Sequence, residues 1–366
     1  MSYRAVIIGL TGIGARRPDR DAKPDAYGRL PQSHASAYHN HPQTDVVAVC
    51  DIRHEMLDAF QAGWGDVWPA MRYYTDYPAM LADVRPEIVS VVTPDHLHAN
   101  IAVAAAEGGA KAILCEKPLA TTLEDADRML AAAEANGTLL SVEFTRRWSP
   151  AYCRARDILR SGDLGKLRSM TTSLFSKRAM LFRNGAHLID MLHFFAESDA
   201  VWVWSELEDG YDHFDIYRGD GGHDPAMEPS ASGYIRFANG VRAFYESAKL
   251  EYPGVQFTLT CDHGRIEISD NSFVVIRANS SGCLERSDVI VEHAQGPILL
   301  DGAVDELVRC LNGDGELTSS GHSARRTLEV TLAMMQSHAR GNVRVDLHVD
   351  SNPMEPRTRI GTGSWR

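Results

Sequence analysis

The chain has 366 residues, of which 44% are hydrophobic and 23% are charged, proportions that are typical of a globular protein. This length exceeds that of an average domain, and two domains are therefore expected. The net charge of −12 disfavours a nucleic-acid partner, because binding to phosphates needs a basic surface.

Apolar stretches and cysteines narrow the class of protein further. No apolar run is long enough to cross a membrane, and the first residues lack the apolar core and cleavage site of a signal peptide. The six cysteines are scattered without a CxxC pair, which predicts reduced thiols rather than a zinc site. The sequence thus predicts a cytoplasmic protein with no membrane partner and no metal.

The N-terminal residues alternate apolar runs with helical patterns. Strands that are apolar on both faces and are separated by helices predict a parallel sheet covered by helices. We therefore expect a Rossmann-type domain over residues 1–145. Helices are predicted at Ile101–Glu107 and at Leu123–Ala135, the latter with a capping box from Thr121 to Glu124. The expected strands are Ala5–Leu10, Val46–Cys50, Ile88–Val92, Ala112–Cys115 and Leu139–Val142.

The pattern changes over residues 146–350, where strands follow one another through tight turns. Asn239-Gly240 between two alternating runs predicts a hairpin, and Asp262-His263-Gly264 predicts a second turn. These signals indicate an α+β domain with an antiparallel sheet, followed by a loosely held tail at 351–366. Its other expected elements are helices at Ala151–Arg160, Ala186–Phe195 and Ala324–Ala339, and strands at Leu167–Ser176 and Val343–Leu347.

A glycine-rich loop follows the first strand. Gly9, Thr11 and Gly14 hold the first, third and sixth places of a dinucleotide fingerprint, with Gly12 and Ile13 between them. Because Thr11 stands where glycine is usual, an ordinary glycine-rich turn remains an alternative. An inserted surface loop at 15–32 follows; its basic residues either face the cofactor phosphates or are simply solvated.

An acid ends the second strand, where such a residue would bind the adenosine ribose. Asp51 is followed by Ile52 and Arg53, and we assign all three to the cofactor site. A carboxylate here favours NAD over NADP, because it would repel a 2′-phosphate. The alternative for Asp51 is a helix N-cap, and the nearby Arg53 weakens the preference for NAD.

Two further strands end in polar residues. One ends in Thr93-Pro94, with His98 just beyond, and the next ends in Glu116-Lys117. Ligands bind at the carboxyl ends of strands in an open α/β sheet, so we expect these residues beside the nicotinamide. Burial would lower the pKa of Lys117 towards the range useful for proton transfer. The alternative is a surface lysine at a strand end.

At these motifs the sequence resembles the glucose-fructose oxidoreductase, inositol dehydrogenase and MocA-like oxidoreductases. The resemblance covers nearly the whole chain. It implies a second domain with a large open sheet, NAD(P)-dependent oxidation or reduction of a sugar, cyclitol or related polyol, and dimers or tetramers formed through that sheet. It also adds His34 to the cofactor site. Besides the glycine loop, the matching segments are SHA (33–35), VVAVCD (46–51), TPDHLH (93–98), CEKPLATT (115–122), RRWSPAY (146–152), SGDLGKL (161–167), HLIDMLHFF (187–195) and ARRTLEVTLAMMQSHARGNVRVDL (324–347).

The resemblance also implies the catalytic pair. Lys117 would orient and polarise the substrate oxygen, and His187 would take or give its proton. Many members carry an acid four positions before this histidine, where the present chain has Arg183. Asn184 could bind a substrate hydroxyl and Arg183 an acidic substituent, while Arg147 lines the cleft or lies on the surface. We expect Asp190 and His193 only to pack their helix.

Three functions remain open from the sequence. The first is an ordinary NAD(P)-dependent dehydrogenase. The second is a catalytically idle sensor of NAD and sugar on the same scaffold, favoured by the altered glycine loop and by Arg183. The third is an enzyme that keeps its cofactor bound through both half-reactions. The polar, aromatic segment 209–224 is expected to be a substrate loop or a subunit-contact loop.

Overall fold

A computed structural model describes residues 2–18, 32–219, 224–290 and 297–348. Most of the predicted insertion and the whole 351–366 tail lie outside the described residues. Among the described helices, none combines the length and the apolar character that crossing a membrane requires.

The first sheet has six parallel strands in the order β3-β2-β1-β4-β5-β6. β4 and β5 are buried along their whole length, because helices cover both faces of the sheet. This is the predicted Rossmann-type sheet, and the prediction is confirmed. Its strands are β1 (Tyr3–Ile8), β2 (Thr44–Cys50), β3 (Arg72–Tyr74), β4 (Ile88–Val91), β5 (Ala112–Cys115) and β6 (Leu139–Val142).

Five helices connect these strands. The capping of α5 differs from the prediction by one residue: Thr122, not Thr121, is the N-cap, and its side chain accepts a hydrogen bond from the backbone N–H of Asp125. The helices are α1 (His34–Asn40), α2 (His54–Trp64), α3 (Tyr77–Val84), α4 (His98–Glu107) and α5 (Leu123–Asn136).

The second sheet has nine strands in the order β14-β13-β12-β11-β7-β10-β9-β8-β15. Only the β7–β10 pair is parallel among its described ladders, so the predicted large, mostly antiparallel open sheet is confirmed. The turns at Asn239-Gly240 and at Asp262–Gly264 join antiparallel neighbours, as expected. Its strands are β7 (Leu167–Phe175), β8 (Ala200–Leu207), β9 (Ala231–Phe237), β10 (Arg242–Ala248), β11 (Gly254–Cys261), β12 (Gly264–Ile268), β13 (Phe273–Ala278), β14 (Leu284–Asp288) and β15 (Val345–Asp346).

Helices cover one face of this second sheet and link it to the first. α9 packs on β8, and α7 packs on both α9 and β7. The buried face of α8, with Val304 and Leu307 at its centre, joins the apolar core formed by Ala5 and Ile7 of β1. A helix from late in the chain therefore completes the core of the Rossmann sheet. These helices are α6 (Pro150–Ser161), α7 (Ala186–Ala196), α8 (Leu299–Leu311) and α9 (Gly321–Ala339).

Candidate active site

The glycine loop after β1 is built around two close backbone approaches. A Cβ on Gly9, whose φ is +95°, would lie 2.2 Å from the carbonyl oxygen of Val92. A Cβ on Gly14 would lie 2.3 Å from the carbonyl oxygen of Gly9. A Cβ on Gly12 would meet nothing within 4 Å. Gly9 and Gly14 are thus required by packing, whereas Gly12 borders open space in which a pyrophosphate can approach the backbone.

Asp51 ties the end of β2 to this loop. Its carboxylate accepts hydrogen bonds from the backbone N–H of Leu10 at 3.0 Å and of Arg53 at 3.1 Å, and it pairs with Arg53 Nε at 3.4 Å. The N-cap of α2 is Arg53, so the alternative of Asp51 as an N-cap is wrong. Ile13 and Ile52 are 44% and 82% exposed, which leaves apolar surface for an adenine. The loop, the acid and these apolar groups fit an NAD(P) dinucleotide.

Two predicted cofactor residues lie beneath the surface of the crevice. His34 is fully buried, with Nδ1 2.8 Å from Ser90 Oγ and Nε2 3.3 Å from Glu116 Oε1. His98 is also fully buried, and its ring nitrogens lie 3.0 Å from the carbonyl oxygens of Pro118 and Thr93. The structure therefore corrects the expectation that both face the cofactor: His34 supports Glu116, and His98 ties the ends of β4 and β5 together.

Lys117 follows β5 and is joined to Pro118 by a cis peptide bond. It is 8% exposed, and its Nζ donates to the carbonyl oxygen of Arg183 at 2.9 Å. Burial lowers its pKa; the nearby Glu116 carboxylate opposes this, and the Arg183 guanidinium reinforces it. Burial also opposes ionisation of Glu116, but the hydrogen bond and charge of His34, together with the charges of Lys117 and His98, lower the pKa of that carboxyl.

His187 lies in the first turn of α7, directly after a π-helical turn at Leu181–Gly185. Glu228 holds that turn by accepting the backbone N–H groups of Phe182 and Arg183. Burial holds the pKa of His187 well below its usual value, and the charges of Lys117, Arg146 and Arg183 lower it further. Lys117 therefore contacts the turn that leads into α7, and its charge acts on the imidazole.

A cavity of about 550 Å³ opens beside His187, a volume within the usual range for small-molecule sites. Asn184, predicted to bind substrate, lines it. So does Arg146, which the sequence did not single out and which pairs with Asp270 at 2.9 Å. Ser173–Phe175 of β7 and Gly254–Gln256 of β11 line another part of the wall, together with Leu188 of α7 and residues 269–271.

The Arg147 side chain does not line this cavity, contrary to the prediction that it lies in the cleft. Its Nε and Nη2 donate to the two carboxylate oxygens of Asp190 at 2.7 and 2.8 Å, and its Nη1 donates to the carbonyl oxygen of Thr318 at 2.6 Å. Arg147 and Asp190 are 7% and 0% exposed in their side chains. The guanidinium is thus committed to a buried ion pair, because Asp190 needs a compensating charge.

Arg183 bridges the two halves of the site. Its Nη2 lies 3.5 Å from Asp95 Oδ2 in the loop after β4. Tyr217 also donates its hydroxyl to Asp95, and the carbonyl oxygen of Gly219 accepts the backbone N–H of His96 at 3.2 Å. The described part of segment 209–224 therefore packs against the carboxyl edge of the first sheet.

Four buried polar atoms around the site have no hydrogen-bond partner among the described residues. They are Thr93 Oγ1 after β4, Glu143 Oε1 after β6, Arg183 Nε and His187 Nδ1. Such atoms are uncommon in native structures and call for a missing partner. Sequence analysis missed Glu143, although the signal was present: an acid directly follows β6 at the same edge as Glu116.

Comparison with known proteins agrees with this architecture. Residues 27–144 match the family described as an oxidoreductase family with an NAD-binding Rossmann fold, and the resemblance predicted from the motifs is confirmed. Inositol 2-dehydrogenase of Salmonella paratyphi B is 29% identical over 212 residues, which cover 56% of this chain and 57% of that protein. D-glucoside 3-dehydrogenase of Escherichia coli is 34% identical over 136 residues, 37% of each chain.

One solved structure illustrates the shared fold. The WlbA dehydrogenase from Bordetella pertussis, in complex with NADH and UDP-GlcNAcA, aligns with a TM-score of 0.72 at 20% identity, covering 96% of this chain and 100% of that one. At this identity the likeness shows the fold alone. The chain spans little more than half the length of the inositol 2-dehydrogenase. These relatives are dehydrogenases, and they lend no support to the idle-sensor alternative.

Proposed function

We propose that this chain, whose residues 27–144 carry the NAD-binding Rossmann fold of the glucose-fructose oxidoreductase, inositol dehydrogenase and MocA-like family, is a dehydrogenase. Its substrate would be a secondary carbinol of a sugar, cyclitol or related polyol, or the corresponding carbonyl compound. When bound, NAD supplies the acceptor or donor of the hydride. The named relatives act on such alcohols, which supports the substrate class.

The observation that carries the proposal is that Lys117 contacts the turn leading into α7, whose first-turn residue His187 lines the cavity. Lys117 Nζ donates to the turn that precedes α7, and the positive charge of Lys117 lowers the pKa of the His187 imidazole, after the larger effect of burial. Lys117 at the carboxyl edge of the Rossmann sheet and His187 at the start of α7 can both exchange protons, and in this proposal they act on one hydroxyl between them.

In this proposal each residue of the pair has its own task. Lys117 orients and polarises the substrate oxygen. His187 is held neutral by burial and by the surrounding cations, so it can accept the hydroxyl proton during oxidation and return it during reduction. Asn184 and Arg146, which line the cavity, would bind the other hydroxyls. Lys117 is only 8% exposed, which limits the access of competing water to its amine.

The cofactor would be NAD rather than NADP. The glycine loop with Gly9, Gly12 and Gly14 would hold the pyrophosphate, and Asp51 would accept the ribose hydroxyls. Arg53, the nearby cation that could attract a 2′-phosphate, is paired with Asp51. A carboxylate in this position repels a 2′-phosphate, which supports the preference for NAD.

The open face of the second sheet would join copies of the chain into a dimer or tetramer. Trp204 of β8 and Phe244 of β10 are 38% and 45% exposed, and apolar surface of this kind commonly marks an interface. Light scattering tests the proposed oligomer, and a monomer at working concentration would contradict it.

The six cysteines carry no disulfide, which supports the cytoplasmic location expected from the sequence.

A screen of sugars, cyclitols and their oxidised counterparts, followed through the absorbance of reduced nicotinamide, tests the proposed activity. We expect turnover with at least one polyol, and with NAD in preference to NADP. Gel filtration then separates an ordinary dehydrogenase, which releases its cofactor, from an enzyme that retains it. Binding of NAD and polyols without any turnover would contradict the proposal.

A further inference from the structure

A second cavity lies among the helices that cover the second sheet. Its volume is about 360 Å³, which is within the usual range for small-molecule sites. It shares no lining residue with the cavity beside His187, so the two are separate. Helices α6, α7 and α9 and the turn after α7 form its walls, and its charged and titratable lining residues are Arg147, Arg156, His193, Glu197, Asp199 and Arg326.

Most of the charges in the second cavity already have a partner. The Arg147 guanidinium is committed to its buried ion pair. Arg326 Nε lies 3.3 Å from Asp199 Oδ1, and Glu197 Oε1 accepts a hydrogen bond from Arg160 Nε at 2.8 Å. Among the described residues, these last two pairs engage a single oxygen of each carboxylate, so the other oxygen of each acid can still accept a hydrogen bond.

Arg156 of α6 is the cation that remains. Its guanidinium carbon lies 4.0 Å from the centre of the Phe194 ring, so the aromatic face covers one side of the group. Its Nε is buried, and no ion pair or hydrogen bond joins its side chain to a described residue. Burial, followed by the charge of Arg160, lowers the pKa of Arg156 against the opposing charges of Glu197 and Asp157. The second cavity therefore keeps one positive charge after its ion pairs are counted.

His193 of α7 contributes a second group without a partner. The residue is 7% exposed, its Nδ1 lies 3.2 Å from the carbonyl oxygen of Ile189, and its Nε2 has no partner among the described residues. Burial lowers the pKa of His193 to about 3, so the ring is neutral. Its Nδ1–H then donates to the carbonyl oxygen, and Nε2 is left as a buried acceptor that calls for a donor.

We propose that the second cavity is a binding site for a small carboxylate that also carries hydroxyl groups, such as a sugar acid. A carboxylate matches the planar guanidinium of Arg156 through two parallel hydrogen bonds, and its single negative charge equals the charge left over. The ligand's hydroxyl groups donate to the free oxygens of Glu197 and Asp199, and a hydroxyl or an ordered water donates to His193 Nε2. A doubly charged phosphate monoester fits less well, because one of its charges would lack a partner. The site does not depend on the proposed dehydrogenase reaction.

Isothermal titration calorimetry on the full chain without NAD tests the site, with gluconate as the probe. Arg156→Met should weaken the binding of gluconate by about tenfold or more, because charge-assisted hydrogen bonds are lost. The matched control is Arg154→Met, which removes an exposed arginine from the same helix and should leave the affinity for gluconate unchanged. The affinity for glucitol, the uncharged counterpart of gluconate, should be the same in Arg156→Met and the wild type.

Arg146→Met separates the two cavities. Because Arg146 lines only the cavity beside His187, this variant should bind gluconate as tightly as the wild type does. If Arg156→Met does not fold, Arg156→Lys keeps the charge but not the planar fork, so gluconate should raise its Tm less than that of the wild type. The inference is overturned if the wild type binds no gluconate, if it binds inorganic phosphate more tightly, or if the affinity for gluconate depends on Arg146 and not on Arg156.

Discussion

Replacing Arg147 with methionine tests the assignment of two neighbouring arginines. The substitution removes the bidentate partner of Asp190, a side chain with no exposure. Among the described residues, the carboxylate then keeps only Thr327, whose hydroxyl donates to Asp190 Oδ1 at 3.2 Å. Removing one partner of a buried ion pair costs about 3–5 kcal/mol, because the remaining charge is uncompensated.

That free energy converts into a measurable melting shift. Unfolding entropy is about 2.1 cal/mol/K per residue, so over 366 residues the loss corresponds to a drop in Tm of roughly 4–7 °C. The KM for the substrate and the affinity for NAD should be unchanged in the folded enzyme. A second substitution, Asp190→Leu, should restore most of the stability, because it removes the orphaned charge.

The matched control is Arg146→Met, one residue earlier. Arg146 pairs with the half-exposed Asp270, and such a pair contributes only about 0–1 kcal/mol, so its Tm should change little. Because Arg146 lines the cavity, its loss should instead raise KM. Differential scanning calorimetry and steady-state kinetics on both variants decide the matter. A stable Arg147→Met enzyme with a raised KM would refute this reasoning.

Three further predictions concern the glycine loop, the acid after β2 and the buried acid after β6. Gly12→Ala should fold, at a strain cost of about 1 kcal/mol, but should bind NAD more weakly when the affinity is measured by calorimetry. Gly9→Ala should instead lose stability, because its Cβ would collide with Val92. Equal NAD affinity for Gly12→Ala and the wild type would argue against this loop as the phosphate site. Asp51→Ser should narrow the preference for NAD over NADP in kcat/KM, and an unchanged ratio would remove Asp51 from cofactor selection. Burial, followed by repulsion from Glu116, raises the pKa of Glu143 to about 8 in the folded state, and this pKa is about 4.3 in the unfolded state, so the contribution of Glu143 to stability is complete below the lower pKa and is lost as pH rises through the higher one. The Tm of Glu143→Gln relative to the wild type should therefore increase with pH across this window. A Tm difference that stays constant with pH would contradict the raised pKa.

The strands of the first sheet could be predicted because each is a short apolar run bounded by turn residues. β3 could not, because its three residues, Arg72–Tyr74, contain no apolar run. α8 was also missed. Its apolar stripe serves the core of the first sheet, far away in sequence, and only the three-dimensional arrangement shows that the late chain completes the early domain.

The candidate site was predictable where one residue at a strand end carries the signal. Lys117 lies at a strand end and contacts the turn that leads into α7, and His187 lies in the first turn of that helix. Pairings between distant residues could not be read in the same way. Nothing local distinguishes Arg147 from Arg146, and their different partners, Asp190 and Asp270, lie 43 and 124 residues away. His34 and His98 occupied the expected segments, but their orientation depends on packing against Glu116 and Pro118.

In the proposed reaction, the Lys117 amine acts on the substrate oxygen beside bound NAD. Single-turnover measurement of reduced nicotinamide, with Lys117→Ala set against the wild type at saturating NAD, tests it most directly. We expect Lys117→Ala to lower the rate by about a hundredfold or more and to preserve the affinity for NAD. A Lys117→Ala enzyme that turns over its polyol at the wild-type rate would contradict it.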